Sequence, residues 1–245
     1  MPELSDFERA WLLLLLALWA AQLGGGFLRG RYDAEETHRI PRPLRMGSSL
    51  TLVIAAVSWW LLLDAGPLRD LALLVALGMT AGFVGDLFMA QLIVRGSLSV
   101  LGGMGMFGLG HVLYISGLLR YADVTGLDDP AARWGALAVA LLIGAASWWR
   151  VVYRGAAEHS ALHIVALPYA LLLAATFGVG TGLALQSAEF VPLAVGAALF
   201  LTSDLVIAAQ MFNGLHFRGI GDVIWLTYGP AQMLIVYALP FSALF

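Results

Sequence analysis

Eight stretches of the chain are each long and apolar enough to cross a lipid bilayer as a helix. The hydrocarbon core is about 30 Å thick, so a spanning helix needs about 20 mostly apolar residues. The stretches lie near residues 7–28, 44–63, 68–94, 99–119, 133–150, 161–185, 190–211 and 222–243. No linker between them is long enough for a separate domain. The sequence therefore predicts one all-α domain over residues 1–245, a bundle of eight transmembrane helices.

Charge content separates this chain from soluble proteins of similar length. Hydrophobic residues make up 60% of the 245 residues and charged residues only 12%, about half the charged fraction of a typical soluble domain. The composition therefore predicts a polytopic membrane protein. The N-terminal segment is acidic and lacks the basic region of a cleaved signal peptide, so we expect it to be retained.

Several classes of function are excluded by what the sequence lacks. Without cysteine there is no disulfide, iron–sulfur cluster or thiol nucleophile. The motifs G-x-S-x-G and H-E-x-x-H and the phosphate-binding loop are absent, and no basic patch points to nucleic acid. His111, His163, Asp86 and Asp204 are residue types that bind metals, but their spacing matches no metal-binding motif. We therefore expect neither a metal nor a cofactor.

The distribution of arginines between the linkers predicts the orientation of the chain in the membrane. Cytoplasmic linkers of membrane proteins are enriched in basic residues. One side of the predicted bundle carries nine arginines: Arg29, Arg31, Arg39, Arg42, Arg45, Arg95, Arg150, Arg154 and Arg218. The other side carries four: Arg9, Arg69, Arg120 and Arg133. We therefore expect a cell-membrane protein whose nine-arginine side is cytoplasmic and whose two termini lie outside.

Two predicted helices carry an aspartate within an apolar sequence. FVGDLFMAQ contains Asp86, and LFLTSDLVIAAQ contains Asp204. An ionised carboxylate in the hydrocarbon core costs several kcal/mol, and intramembrane acids therefore usually have a function. Asp86 precedes Arg95, and Asp204 precedes Asn213, by nine residues. Each aspartate is thus predicted about 13 Å from the same end of its helix, where the two carboxylates can meet.

Other polar residues occur at helical spacing in the fourth and eighth segments. His111 and Tyr114 are three residues apart, and Tyr228 and Gln232 are four apart, so each pair shares one face of its helix. A buried histidine can simply donate a hydrogen bond to a carbonyl group of the next helix. The alternative is that these residues position an aspartate or contact a substrate, and the two intramembrane acids favour it.

His163 and Asp222 lie near the arginine-rich ends of the sixth and eighth segments. Asp222 is predicted to cap its helix, because a carboxylate is favourable at a helix N-terminus. Two interpretations stay open for His163. It lies at the membrane interface without further role, or it contributes to the same site as the aspartates.

Four stretches resemble, in order, the YhhN-type membrane proteins, a family that includes the lysoplasmalogenases. They are Arg42-Pro43, then FVGDLFMA followed by GLGHVLYISGL, then ALFLTSDLVIA, and finally LTYGPAQMLIVYAL. Together they span residues 42–239. The family usually has Lys-Pro where this chain has Arg42-Pro43. Arginine keeps the charge, but it does not replace lysine in proton transfer.

The resemblance implies an integral-membrane hydrolase that cleaves the vinyl-ether bond of a lysoplasmalogen, giving a fatty aldehyde and a glycerophospho-alcohol. A vinyl ether is cleaved by protonation at carbon, followed by capture of the oxocarbenium ion by water. Two neighbouring aspartates in a low-dielectric site can supply one carboxylic acid and one carboxylate, as in glycosidases. We therefore expect Asp86 and Asp204 to be catalytic. Residues expected to bind the lysophospholipid or to support the pair are His111, Tyr114, Tyr228, Gln232, Arg42 and His163.

Two other classes of function fit the same sequence. Paired intramembrane acids are also typical of proton-coupled transporters, although no two segments are interrupted in matching positions as in many carriers. The aspartates of a non-catalytic lipid-binding or scaffold protein would only hold helices together. Partners expected from the sequence are a lysophospholipid from the bilayer and membrane lipids, without nucleic acid.

Overall fold

The computed structural model describes residues 4–154 and 160–238. Within them the chain folds into α1 (Asp6–Arg29), α2 (Arg42–Leu62), α3 (Pro67–Met89), α4 (Ser97–Thr125), α5 (Pro130–Trp148), α6 (Ala161–Ala184), α7 (Val191–Asn213) and α8 (Ile220–Tyr237). One π-helical turn (Trp149–Tyr153) continues α5, and one 3₁₀ turn (Ala188–Phe190) precedes α7. These described residues contain no β-strand, so the predicted all-α architecture is confirmed.

Seven helices, α1 to α7, are long and apolar enough to cross a membrane, which supports a multi-pass membrane protein. The described part of α8 is not among these candidate spans, and it carries the buried polar residues Asp222, Tyr228 and Gln232. The eighth span and the orientation of the termini stay predictions. Residues 239–243, which the sequence assigns to the last helix, lie outside the described residues.

Six of the helices form a closed ring in the order α2, α3, α4, α6, α7 and α8, with α8 packing back on α2. The other two lie outside the ring, because α1 packs on α2 and α8 while α5 packs mainly on α6. Short connections reverse the chain direction from each helix to the next. The α1–α2, α3–α4, α5–α6 and α7–α8 connections therefore meet at one end, the arginine-rich end.

The end of α3 differs from the prediction. The sequence predicts a helix up to residue 94, but α3 ends at Met89 because Gln91 adopts a left-handed backbone conformation with a φ of 57°. Asp86 therefore lies within the last turn of its helix rather than about 13 Å before its end. The other half of that prediction is correct, since α7 ends at Asn213.

The α1–α2 loop (residues 30–41) is attached to the start of α8 at the arginine-rich end. The buried Asp222 carboxylate accepts a hydrogen bond of 2.8 Å from the backbone N–H of Arg39 and one of 3.1 Å from the next residue. The backbone N–H groups of Gly219 and Gly221 donate to loop carbonyls, each at 2.9 Å. Backbone N–H groups and backbone carbonyl groups of the loop are thus both hydrogen-bonded to the first residues of α8.

The predicted capping role of Asp222 needs a correction. No side chain caps the N-terminus of α8, where Gly219 occupies the cap position with a φ of 80°. The Asp222 carboxylate instead binds the backbone of the α1–α2 loop, whose N–H groups point towards it and would otherwise be unsatisfied. Asp222 therefore stabilises the contact between the loop and α8.

We expect Asp222→Asn to lower the melting temperature of the purified protein. The amide keeps the shape but loses the charge and one acceptor, so the loop N–H groups lose charge-assisted hydrogen bonds worth about 1–3 kcal/mol. Thermal unfolding in detergent, followed by intrinsic fluorescence, measures the change. Asp70→Asn is the control, because Asp70 makes an exposed ion pair with Arg120 at the opposite end. Equal melting temperatures for the two variants would contradict the assigned role.

Candidate active site

A cavity of about 790 Å³ lies inside the ring at its arginine-rich end. That volume falls within the range of small-molecule sites. All six ring helices and the α1–α2 loop contribute to its wall, and the apolar part includes Met104, Phe107, Leu173, Leu201 and Leu205. Its polar and charged lining residues are Asp33, Glu35, Thr37, His38, Arg42, Arg45, Asp86, Gln91, Arg95, Tyr169, Asp204, Gln210 and Tyr228.

Asp86 is buried on α3 and receives two hydrogen bonds on the same carboxylate oxygen. The Ser49 hydroxyl of α2 donates to Oδ2, and the Tyr228 hydroxyl of α8 donates to Oδ2 at 3.0 Å. Asp86 therefore links three helices of the ring through one oxygen atom. Two hydroxyl donors on one carboxylate oxygen stabilise its negative charge.

The direction of the Tyr228 hydrogen bond is set by residues behind it. Gln232 donates through Nε2 to the Tyr228 oxygen at 3.2 Å, and the Gln232 carbonyl accepts from the Tyr114 hydroxyl at 3.2 Å. Because Tyr228 already accepts a hydrogen bond from Gln232, its own proton is available for Asp86. The row Tyr114, Gln232, Tyr228 and Asp86 therefore points all its donors towards the carboxylate.

Asp204 on α7 has a simpler environment. The Tyr169 hydroxyl of α6 donates to its Oδ2, and no other described residue donates to its carboxylate. Asp204 is half-buried, whereas Asp86 is only 4% exposed. The two acids therefore share one cavity but differ in their hydrogen-bond donors and in their access to it.

Both aspartates that the sequence predicts as catalytic lie on the wall of the cavity. Two further predicted site residues, Arg42 and Tyr228, also line it. Tyr114 and Gln232 do not line it, but Gln232 is hydrogen-bonded to Tyr228 and to Tyr114. One hydrogen-bonded group thus contains Asp86 and three of its predicted supporting residues, Tyr228, Gln232 and Tyr114. Asp204 and Arg42 lie on the same cavity wall outside that group. The catalytic and binding roles of all these residues stay predictions.

The two predicted histidines lie away from the cavity wall. His111 is buried, with its Nδ1 2.8 Å from the Thr176 hydroxyl and its ring 4.5 Å from that of Phe200. Phe200 in turn packs edge-on against Tyr228 at 5.2 Å, and the His111 ring also packs edge-on against Tyr114 at 5.9 Å. His163 interacts with Ser160 at the start of α6 and packs on Phe212 at 4.7 Å. Neither histidine is among the residues that line the cavity, and their predicted roles stay predictions.

Several site residues were not predicted from the sequence. Ser49 and Tyr169 donate directly to the two aspartates, and Arg45 and Arg95 join Arg42 on the cavity wall. Serine and tyrosine are common in membrane helices, so their type alone gives no signal. The signal available for Arg45 is its spacing of three residues from Arg42, which places both on one face of α2.

The α1–α2 loop contributes Asp33 and His38, which contact each other, to the wall of the cavity. Asp33 accepts hydrogen bonds from the backbone N–H and the hydroxyl of Thr37 at 2.7 Å and 2.9 Å, and lies 3.3 Å from His38 Nδ1. Although burial opposes them, the hydrogen bonds from Thr37 and His38 lower the pKa of Asp33 to about 2. Burial and the nearby Arg45 charge lower the pKa of His38, so its ring is neutral at pH 7.

In residues 4–154 and 160–238, no group of three or more histidine and acidic side chains is arranged to hold a metal ion.

A family model for YhhN proteins matches residues 44–239, which is most of the chain. The chain belongs to the YhhN family. The matched region of this YhhN protein contains Asp86, Asp204 and their direct donors Ser49, Tyr169 and Tyr228. Helix α1 and the α1–α2 loop precede the match. No curated protein and no solved structure matches the chain. YhhN proteins are associated with lysoplasmalogenase hydrolase activity.

We expect Gly78→Ala to destabilise this YhhN protein, although alanine normally favours a helix over glycine by about 0.5–1 kcal/mol. A Cβ atom on Gly78 would lie 2.4 Å from the buried Tyr114 ring and 3.0 Å from the Gly110 carbonyl oxygen. Overpacking of this kind costs about 1–3 kcal/mol, and it would shift the Tyr114 hydroxyl away from Gln232. Thermal unfolding in detergent tests the effect.

The matched control for this prediction is Gly105→Ala on α4. A Cβ atom on Gly105 meets nothing within 4 Å, so we expect an unchanged or higher melting temperature. The opposite signs of the two changes separate helix propensity from packing. A Gly78→Ala protein as stable as the Gly105→Ala protein would show that α3 and α4 tolerate a wider separation beside Tyr114.

Proposed function

We propose that this YhhN protein is an integral-membrane hydrolase that cleaves the vinyl-ether bond of a lysoplasmalogen-like lysophospholipid. The products are a fatty aldehyde and a glycerophospho-alcohol. The observation that carries the proposal is the position of two intramembrane aspartates, Asp86 and Asp204, on the wall of one cavity. Membership of the YhhN family, which suggests a lysoplasmalogenase-type membrane protein, supports it.

We assign the role of the carboxylate to Asp86, and its hydrogen bonds support this choice. A general rule for acids is that donors to the ionised form stabilise it. Asp86 accepts two hydroxyl donors on Oδ2, and the Gln232 contact directs one of them, from Tyr228. Two carboxyl groups on one apolar cavity favour a single negative charge between them. That charge belongs on Asp86.

Asp204 then has the role of the general acid. It accepts one hydrogen bond, from Tyr169 on Oδ2, and its Oδ1 accepts none from the described residues. Oδ1 can therefore carry the proton that the reaction needs. Asp204 is also the more accessible of the two acids, which suits a group that must touch the reacting carbon.

The proposed reaction consumes one water. Asp204 transfers its proton to the vinyl carbon remote from the ether oxygen, which produces an oxocarbenium ion beside the Asp86 carboxylate. Water adds to the cationic carbon and gives its proton to Asp86, forming a hemiacetal. The hemiacetal collapses to the aldehyde and the free glycerol hydroxyl. Return of the proton from Asp86 to Asp204 restores the starting state.

Replacement of either aspartate by asparagine should nearly abolish aldehyde release from a lysoplasmalogen. Loss of a general acid typically costs 10²–10⁴-fold in rate, and loss of the cation-stabilising carboxylate should cost about as much. Because the two groups act as a unit, the double variant should lose far less than the product of the single losses. Purified protein in detergent, assayed for aldehyde and for melting temperature, provides the measurement.

The control for these variants is Asp70→Asn, which changes an exposed carboxylate far from the cavity and should leave turnover unchanged. Near-normal hydrolysis by either asparagine variant would exclude the paired mechanism. Wild-type protein that binds the lipid without releasing aldehyde would instead favour a transporter or a binding protein.

Rescue by formate should separate the roles of the two acids. In Asp86→Ala the missing group is a carboxylate, and formate, which is ionised at neutral pH, can enter the vacated space and restore the charge. In Asp204→Ala the missing group is a proton donor, which formate at pH 7 does not supply. We therefore expect dose-dependent rescue of aldehyde release in Asp86→Ala and none in Asp204→Ala. The reverse pattern would exchange the assigned roles.

A further inference from the structure

Three arginines on the cavity wall make no ion pair with a carboxylate of residues 4–154 or 160–238. Arg42 and Arg45 lie one turn apart at the start of α2, and Arg95 lies in the α3–α4 connection. In the described residues, the ion pairs involve other arginines, at positions 120, 133 and 218. Three guanidinium groups around one cavity are therefore available to a ligand.

Arg42 and Arg95 are exposed, whereas Arg45 is partly withdrawn from solvent. Its side chain is half-buried, and its buried Nε donates no hydrogen bond to any described residue. Its guanidinium carbon lies 5.6 Å from the centre of the Trp225 ring, which also lines the cavity. A buried N–H group without an acceptor is costly, so Arg45 is a donor prepared for an acceptor that enters the cavity.

Asp222, Asp33 and Asp86 attract the Arg45 guanidinium, but no described acidic group makes an ion pair with any of the three arginines. Asp33 accepts its hydrogen bonds from Thr37 and His38 within the α1–α2 loop. Glu35 is exposed on that loop, and Asp86 and Asp204 lie deeper, bound by Ser49, Tyr228 and Tyr169. The mouth of the cavity therefore keeps an unpaired positive region above a region that holds the two acids.

We propose that Arg42, Arg45 and Arg95 bind the phosphate group of a single-chain phospholipid at the mouth of the cavity. Guanidinium groups bind phosphate through paired, charge-assisted hydrogen bonds, and the N-terminus of α2 adds a favourable dipole. This phosphate site extends the proposed function. It rests on that function for the class of lipid, a lysophospholipid. It makes the phosphate group, rather than the hydrocarbon chain alone, a determinant of substrate binding.

The cavity favours a lipid over a soluble phosphate ester because its wall changes character with depth. Beyond the arginines it is lined by apolar side chains of α4, α6 and α7, among them Phe107, Leu173 and Leu205. A hydrocarbon chain gains about 25 cal/mol for each Å² of apolar surface that it buries there. A small phosphate ester would occupy the arginines and leave that apolar surface uncovered.

Binding of an uncleavable lipid tests the assignment without requiring turnover. The probes are a saturated 1-alkyl ether lysophospholipid, the matching 1-alkylglycerol without phosphate, and glycerol phosphate without a chain. We expect Arg45→Gln and Arg95→Gln each to weaken binding of the phospholipid by about 10- to 100-fold and to leave binding of the alkylglycerol unchanged. Arg120→Gln, in an exposed ion pair at the opposite end, is the control and should change neither.

Two outcomes would overturn the assignment. One is an equal loss of phospholipid and alkylglycerol binding in the arginine variants, which would show a general disturbance of the cavity. The other is binding of glycerol phosphate as tightly as the lipid, which would identify a soluble phosphate ester as the ligand. Arg45→Lys guards against misfolding: because it keeps the charge but loses the paired donors, it should weaken phospholipid binding less than Arg45→Gln.

The same experiment distinguishes failure of this inference from failure of the proposed function. Binding that depends on phosphate and on Arg45, in a protein that releases no aldehyde from a vinyl-ether lipid, would exclude the hydrolase and leave the phosphate site standing. Aldehyde release together with phosphate-independent binding would do the opposite.

Discussion

The structure depends on keeping two carboxyl groups inside an apolar bundle. A charged side chain at the centre of a bilayer costs about 2.5–3.5 kcal/mol on insertion scales, and an unpaired polar group in such a setting is unstable. Asp86 and Asp204 are tolerated because hydroxyl groups from neighbouring helices donate to them. Those donors come from α2, α6 and α8, so the requirement to satisfy the acids also fixes which helices must surround the cavity.

Helix packing brings the donors into place through small residues. Gly78 and Gly110 let α3 and α4 approach so closely that a Cβ atom on Gly110 would lie 2.9 Å from the Gly78 carbonyl oxygen. The space beside Gly78 holds the Tyr114 ring, and the space beside Gly82 holds the Gln232 amide. In a membrane the hydrophobic effect does not drive helices together, and small residues promote association because they allow close van der Waals packing. The same glycines therefore stabilise the ring and position the residues that direct Tyr228 towards Asp86.

Hydropathy and helical spacing were enough to predict the elements of this protein and its two acids. The sequence alone shows Asp86, Asp204, Tyr228 and Gln232 as polar residues within apolar helices. Which helices touch is not visible in that way, so Ser49 and Tyr169 could not be matched to their aspartates. The early end of α3 was missed because Leu92 and its neighbours are apolar, while the chain turns at Gln91, which is not glycine. Asp222 was misassigned because its partners lie in a loop 182 and 183 residues away.

The cavity contains arginines rather than lysines, and the two side chains differ in whether they can lose a proton. A lysine in a desolvated site can lose its proton and join the proton transfers of nearby acids, whereas arginine stays charged. All the basic residues of this chain are arginine, including the one that stands at the Lys-Pro position of the family. In the proposed mechanism, proton transfer is thereby confined to Asp86, Asp204 and the reacting water. In the proposed phosphate site, the guanidinium groups supply charge and hydrogen bonds without exchanging protons with that pair.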